Sequence, residues 1–196
     1  MANWFIALPV PAAAWFDALR PVPDAVRPFH PEDLHATVAF LGPCGEARAR
    51  RAFAALAGAP IPARGLALGR IVPMGPPRKW SALSAEATDA RPETPALADL
   101  LEGPRDVARA AADLPAERRP MRPHVTVGRV RRRAGGAGRK TGLAWAQAAG
   151  ELGAHVPVDR LALYTRAPEE DARTFEIVEA RPLEGAPATR RSARPR

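Results

Sequence analysis

The chain has 196 residues, 46% of them hydrophobic, with 29 Lys+Arg against 21 Asp+Glu for a formal net charge of +8. That length suits one domain or two small lobes sharing a core. A single cysteine, Cys44, excludes an internal disulfide and a cysteine-built zinc site, and no apolar run reaches the ~20 residues that a bilayer span needs.

Only Lys79 and Lys140 among the basic residues are lysine, and alanine and proline abound, so part of the charge reflects a GC-rich coding bias. Much of the rest sits in RRRAGGAGRK (131–140) and ATRRSARPR (188–196), both read as solvated, flexible stretches. A positive field still favours an anionic substrate.

In chain order, NWFIAL (3–8) reads as a strand; the start MANWFIALPVP lacks the basic region of a signal peptide, and the cytoplasm is the expected compartment. PAAAWFDALR (11–20) reads as a helix opened by proline, RPVPDAVRPFHPED (20–33) as a proline-rich loop, and LHATVAFLG (34–42) as a strand ended by glycine. EARARRAFAALAG (46–58) is an alanine-rich helix, and RGLALGRIVPM (64–74) and RKWSALSAEA (78–87) are strands joined through Gly-Pro-Pro. Residues 94–112 are mostly helical, with a break or kink expected at Gly103-Pro104. PHVTVGRV (123–130) is a strand, TGLAWAQAAGEL (141–152) a helix, and VDRLALYTR (158–166) and ARTFEIVEA (172–180) two further strands. The last dozen residues have no periodic pattern and are expected to be disordered.

Two segments carry the same tetrad: His35-Ala36-Thr37-Val38 and His124-Val125-Thr126-Val127, in a chain with four histidines. Each is followed by a helix, by a strand holding Leu-Ala-Leu (66–68 and 161–163) and by one ending Glu-Ala (86–87 and 179–180). That order implies two related lobes. Residues i and i+2 of a strand share a face, so each tetrad shows one imidazole and one hydroxyl while its apolar residues pack behind.

Two lobes facing each other would place two imidazoles and two hydroxyls around one cleft. In-line displacement at phosphorus needs a base on the attacking oxygen and an acid on the leaving one. Two histidines, with ordinary values near 6.5, suit both tasks, and threonine hydroxyls can donate to the non-bridging oxygens. The set lacks the clustered carboxylates that hold magnesium. His30, in a proline-rich loop, and His155, after a glycine, read as structural or solvent-facing. No spacing supports zinc, and nothing positions Cys44 as a nucleophile.

Through FIALPVP, HPEDLHATVAFLG, RPHVTVGRV and VDRLALYTR, the sequence resembles the two-histidine phosphoesterase superfamily. Within it, the resemblance is to the LigT-like RNA 2′,3′-cyclic phosphodiesterases, once called 2′-5′ RNA ligases. It implies an α+β, bilobal LigT-like fold with two pseudo-symmetric lobes, each an antiparallel sheet backed by helices, and the active site in the central cleft. Residues 1–183 would form that single domain and 184–196 a basic, disordered tail.

The resemblance further implies metal-independent hydrolysis of RNA 2′,3′-cyclic phosphate ends to 2′-phosphates, with a weak reverse 2′-5′ ligation. His35 would be the proton donor, His124 the proton acceptor, and Thr37, Thr126 and Arg129 would bind the phosphate. The expected partner is an RNA end such as a tRNA-like fragment. No cofactor, metal, membrane or protein partner is expected, and a monomer is.

At offset five from His124, a regular strand would turn Arg129 away from the histidine face; a bulge at Gly128 would redirect it. Phe40 stands at the equivalent place of the first motif. Phe5, Phe29 and Tyr164 are candidates for stacking on a nucleobase or for the core. The rival readings are a non-catalytic RNA-binding protein on the same fold, and catalysis on a small cyclic nucleotide or a 2′-5′-linked oligonucleotide.

Overall fold

The computed structural model describes residues 2–59, 61–90, 96–169 and 171–186. Nine strands among them form one antiparallel sheet: β1 (Trp4–Pro9), β2 (Val26–Pro28), β3 (His35–Gly42), β4 (Arg64–Met74), β5 (Ala82–Asp89), β6 (His124–Val130), β7 (Glu151–Val158), β8 (Arg160–Arg166) and β9 (Phe175–Pro182). The helices are α1 (Ala14–Asp17), α2 (Glu46–Ala55), α3 (Leu97–Ala111) and α4 (Gly135–Ala149).

The strand order is β7-β4-β5-β6-β3-β1-β8-β9, with β2 added against β6. The motif strands β3 and β6 are thus central neighbours, and each half of the sheet runs outward from one of them. The Leu-Ala-Leu segments fall on equivalent strands, β4 and β8, each two steps from its motif strand. The Glu-Ala pairs do not: Glu86-Ala87 lies on β5, beside the centre, and Glu179-Ala180 on β9, at the far edge. The halves are also crossed in sequence, since β4 and β5 follow β3 in the chain yet pair on the β6 side, while β8 and β9 return to the β3 side.

Apolar alternation places the core. Ala36 and Val38 of β3 and Val125 and Val127 of β6 are buried at 1% exposure or less, behind the face that carries the histidines and threonines. Helices α2 and α3 pack on each other and on the β3 half, and α4 packs on β4 and β6. None of the helices is long and apolar enough to cross a membrane.

Several local expectations are revised. The first helix covers only Ala14–Asp17. Within the proline-rich loop, Val26–Pro28 forms β2, where proline is tolerated because the strand pairs only with β6. Helix α3 runs through Pro104 without a break in its assigned span, helped by Gly103, which brings no Cβ against the proline ring. The basic stretch 131–140 is a short 3-10 turn (Arg132–Ala134) followed by the start of α4. Helix α4 then ends at Gly150, with φ of 64°, and Glu151–Val158 forms a strand that the helical reading of 141–152 hid. Glu184 bridges to Pro62, so the chain is still docked past 183; the expected disorder from 187 onward lies outside the described residues, as do 94 and 95 of the helix expectation.

Glycine-rich α4 is explained by close approach. A Cβ on Gly142 would sit 3.1 Å from Val130 Cγ2, 3.2 Å from Leu83 Cδ1 and 3.4 Å from Val26 Cγ2. Substituting Gly142→Val should overpack this contact and cost about 1–3 kcal/mol, seen as a lower urea midpoint with unchanged slope.

Candidate active site

Strands β3 and β6 meet through the partner pair Ala36 and Val125. Antiparallel counting from that pair sets His35 beside Thr126 and Thr37 beside His124. All four motif side chains therefore share one face, with each histidine diagonal to the other.

The same tether holds both rings. His35 Nδ1 lies 2.6 Å from the carbonyl oxygen of Asp33, and His124 Nδ1 lies 2.7 Å from that of Arg122, two residues back in each case. A carbonyl oxygen only accepts, so Nδ1 carries the hydrogen and donates it. Nε2 is left in each ring as the atom that exchanges a proton.

The surroundings then differ. His35 sits among aromatics, with ring centroids 4.7 Å from Phe5, 5.4 Å from Tyr164 and 5.5 Å from Phe175. Asp33, itself 1% exposed, anchors this wall: its carboxylate accepts the backbone N–H of Thr174 at 2.8 Å and of Phe175 at 3.0 Å. Burial lowers the His35 pKa to about 4; the Asp33 carbonyl bond and charge oppose this, and the charges of His124 and Arg129 add to it. The residue nevertheless keeps part of its surface open, and water at that edge limits the penalty. His35 is thus neutral at pH 7 in the free protein.

On β6, the Thr126 hydroxyl lies 3.0 Å from Ser84 Oγ on the paired strand β5. Ser84 is fully buried and fixes that hydroxyl on the histidine face. Thr37 is half-buried beside Ala7 of β1.

Arg129 reaches the same face through a bulge. Leu83 pairs with Gly128 but Ser84 with Thr126, so Val127 is skipped and the alternation reverses beyond it. Strand β3 does the same at Val38, between the pairs Ile6–Ala39 and Ala7–Thr37. The outcome is the same burial sequence in both motifs and an exposed residue at the same offset, Arg129 in one and Phe40 in the other. The Arg129 guanidinium stands 5.9 Å from the Phe29 ring centroid, and its charge is felt at His35.

Phe5, Phe29 and Tyr164 are 3%, 6% and 1% exposed, so they are not an open stacking platform; Phe5 and Tyr164 wall His35, and Phe29 stands behind Phe175, 6.3 Å between ring centroids. Tyr164 packs as a ring, stacked 4.9 Å from Phe5; its buried hydroxyl has no hydrogen-bond partner among the described residues, and burial raises its pKa. His30 accepts the Glu32 N–H in a turn, and His155 sits on β7 against Ala67, far across the sheet. Among the described residues, no three His, Cys, Asp or Glu side chains gather closely enough to hold a metal ion. Asp33, Ser84 and Phe175 escaped the sequence reading because their roles arise from partners distant in the chain; only the Pro-Glu-Asp-Leu-His lead-in hinted at Asp33.

The architecture is the LigT-like α+β fold. Escherichia coli LigT bound to NADP+ superposes with a TM-score of 0.61 at 17% identity, over 93% of this chain and 98% of that one. The protein TT0787 of Thermus thermophilus gives 0.64 at 21% identity over the same shares, and a structure described as a phosphoesterase gives 0.61 at 17%, again over 93% and 98%. No family model matches the sequence, and no curated protein matches it.

The depressed His35 value has a direct readout. In imidazole-15N NMR, His35 should be neutral at pH 6 in the free protein and gain its proton when inorganic phosphate is added, because a nearby anion favours the charged ring. A His35 already charged at pH 6 without phosphate would remove the burial argument.

Proposed function

We propose that the chain is a two-histidine phosphodiesterase that opens 2′,3′-cyclic phosphates at RNA ends without a metal ion. One observation carries this reading: two imidazoles on neighbouring strands, each tied at Nδ1 to the carbonyl two residues back, leave two Nε2 atoms on a common face with two threonine hydroxyls. That is the equipment for general acid–base displacement at phosphorus. The solved structures of like fold include Escherichia coli LigT bound to 3′-AMP, at 17% identity.

In the proposed step, His124 Nε2 takes a proton from water, and the oxygen attacks phosphorus in line with the 3′ oxygen. The P–O3′ bond breaks, and His35 gives its Nε2 proton to the departing oxygen. The products are a 2′-phosphate and a 3′ hydroxyl, and solvent returns both rings to their starting states. Thr37 and Thr126 donate to the non-bridging oxygens, with Thr126 aimed by Ser84, and Arg129 offsets their charge. The substrate phosphate has a second task, since its negative charge raises the pKa of His35 and so loads the acid. A 5′ hydroxyl in place of water would attack the same phosphorus, with the same P–O3′ bond breaking, and leave a 2′-5′ linkage.

In EDTA, the protein should convert an oligoribonucleotide with a 2′,3′-cyclic phosphate end to the 2′-phosphate, with a bell-shaped pH profile. His35→Ala and His124→Ala should each lower kcat by about 100- to 10,000-fold with far-UV circular dichroism unchanged. Intact substrate at high enzyme concentration, or full activity in either variant, would overturn the proposal.

A further inference from the structure

The phosphodiesterase site opens onto a second feature. Strand β2 sets Arg27 directly opposite Arg129 on β6. Like charges directly opposed weaken an antiparallel pair, and among the described residues no ion pair relieves them. The chain continues from β6 into Arg131, Arg132 and Arg133, and these three with Arg27 and Arg129 line a groove of about 610 Å³ that also takes in Ser81 and Val130.

No acidic side chain lines that groove. Among the described residues, none of the five arginines appears in an ion pair. Elsewhere on the surface, Arg50, Arg51, Arg70, Arg119 and Arg173 each meet a carboxylate. Two of the groove arginines are positioned by neutral groups: Arg131 Nε donates to the Asp24 carbonyl at 2.9 Å, and Arg129 Nη1 lies 3.5 Å from Ser81 Oγ. The first turn of α4, which follows at once, carries no acidic residue either, so the positive end of the helix adds to the field.

We infer that this groove is a track for the phosphate backbone of single-stranded RNA, holding the nucleotides 5′ of the cyclic end whose phosphorus lies between the histidines. Arg129 belongs to both places: it faces the histidines, and it is the first cation of the track. The inference rests on the phosphodiesterase reading and narrows its substrate to a polynucleotide, because a mononucleotide would leave the other four arginines without a phosphate.

The test compares cytidine 2′,3′-cyclic phosphate with an RNA hexamer ending in a 2′,3′-cyclic phosphate, using the triple variant Arg27→Ala/Arg132→Ala/Arg133→Ala. Arg129 and Arg131 are kept, the first for the reacting phosphate and the second for its Asp24 anchor. KM for the hexamer should rise about tenfold or more, with kcat unchanged and the mononucleotide's kcat/KM kept within about twofold. The log–log salt dependence of the hexamer KM should flatten by about 2, near 0.7 for each lost phosphate contact.

An unchanged hexamer KM, an unchanged salt slope, or an equal loss on the mononucleotide would each overturn the track. If the wild type cleaves neither substrate, the phosphodiesterase reading fails on its own. Fluorescence anisotropy with a 3′-phosphate-ended hexamer then decides the groove: salt-sensitive binding that the triple variant weakens upholds it, and binding that the variant leaves intact rejects it.

Discussion

The pairing of β3 with β6 through Ala36 and Val125 is the contact on which the rest depends. It joins the two halves into one sheet and sets two His-x-Thr faces side by side. Buried apolar residues alternate with the four polar ones, so register is fixed from behind. A slip of either strand by one residue would drive its histidine into the core and bring its small apolar partner, Ala36 or Val125, to the surface. The chemistry of the face is therefore specified by side chains that never touch a substrate.

Within that frame, backbone and side chains follow different rules. The backbone is repeated: each motif has the carbonyl tether at Nδ1, and each has a bulge at its fourth residue. The side chains around it are not repeated. His35 is enclosed by Phe5, Tyr164 and Phe175 and loses affinity for its proton, while Arg129 brings charge to a place where the other half offers Phe40. Symmetric scaffolding with asymmetric lining gives two chemically identical rings different surroundings, as the proposed donor and acceptor roles require.

Much of this was legible in the sequence. Strands β1, β3, β4, β5, β6, β8 and β9 announce themselves as short apolar segments between turn residues, and the doubled tetrad marks the candidate site. A redirecting bulge followed from asking how Arg129 could face the histidines, although it falls at Val127 and not at the expected Gly128. What stayed hidden depends on contacts made late in the fold. Gly135, Gly136 and Gly138 read as loop, because propensity counts their cost and cannot see Val130 and Ala25 pressing on Gly138. Strand β7 looked like the tail of a helix, since only the edge of β4 makes it a strand. The reach of Asp33 to Thr174 and Phe175 spans more than 140 positions, and no local pattern records it.

The crossed strand order has a consequence for how the molecule comes into being. Strand β1, near the start, is flanked in the sheet by β3 and by β8, whose residues lie about 160 positions later. During synthesis its far edge must wait, unpaired, until nearly the whole chain has emerged. Such long-range closure slows folding and leaves an open edge available to other chains. The crossing also means that the β3 half draws on both ends of the chain, with β4 to β7 of the other half inserted between them, so cutting the chain between the two motifs would not yield two intact lobes.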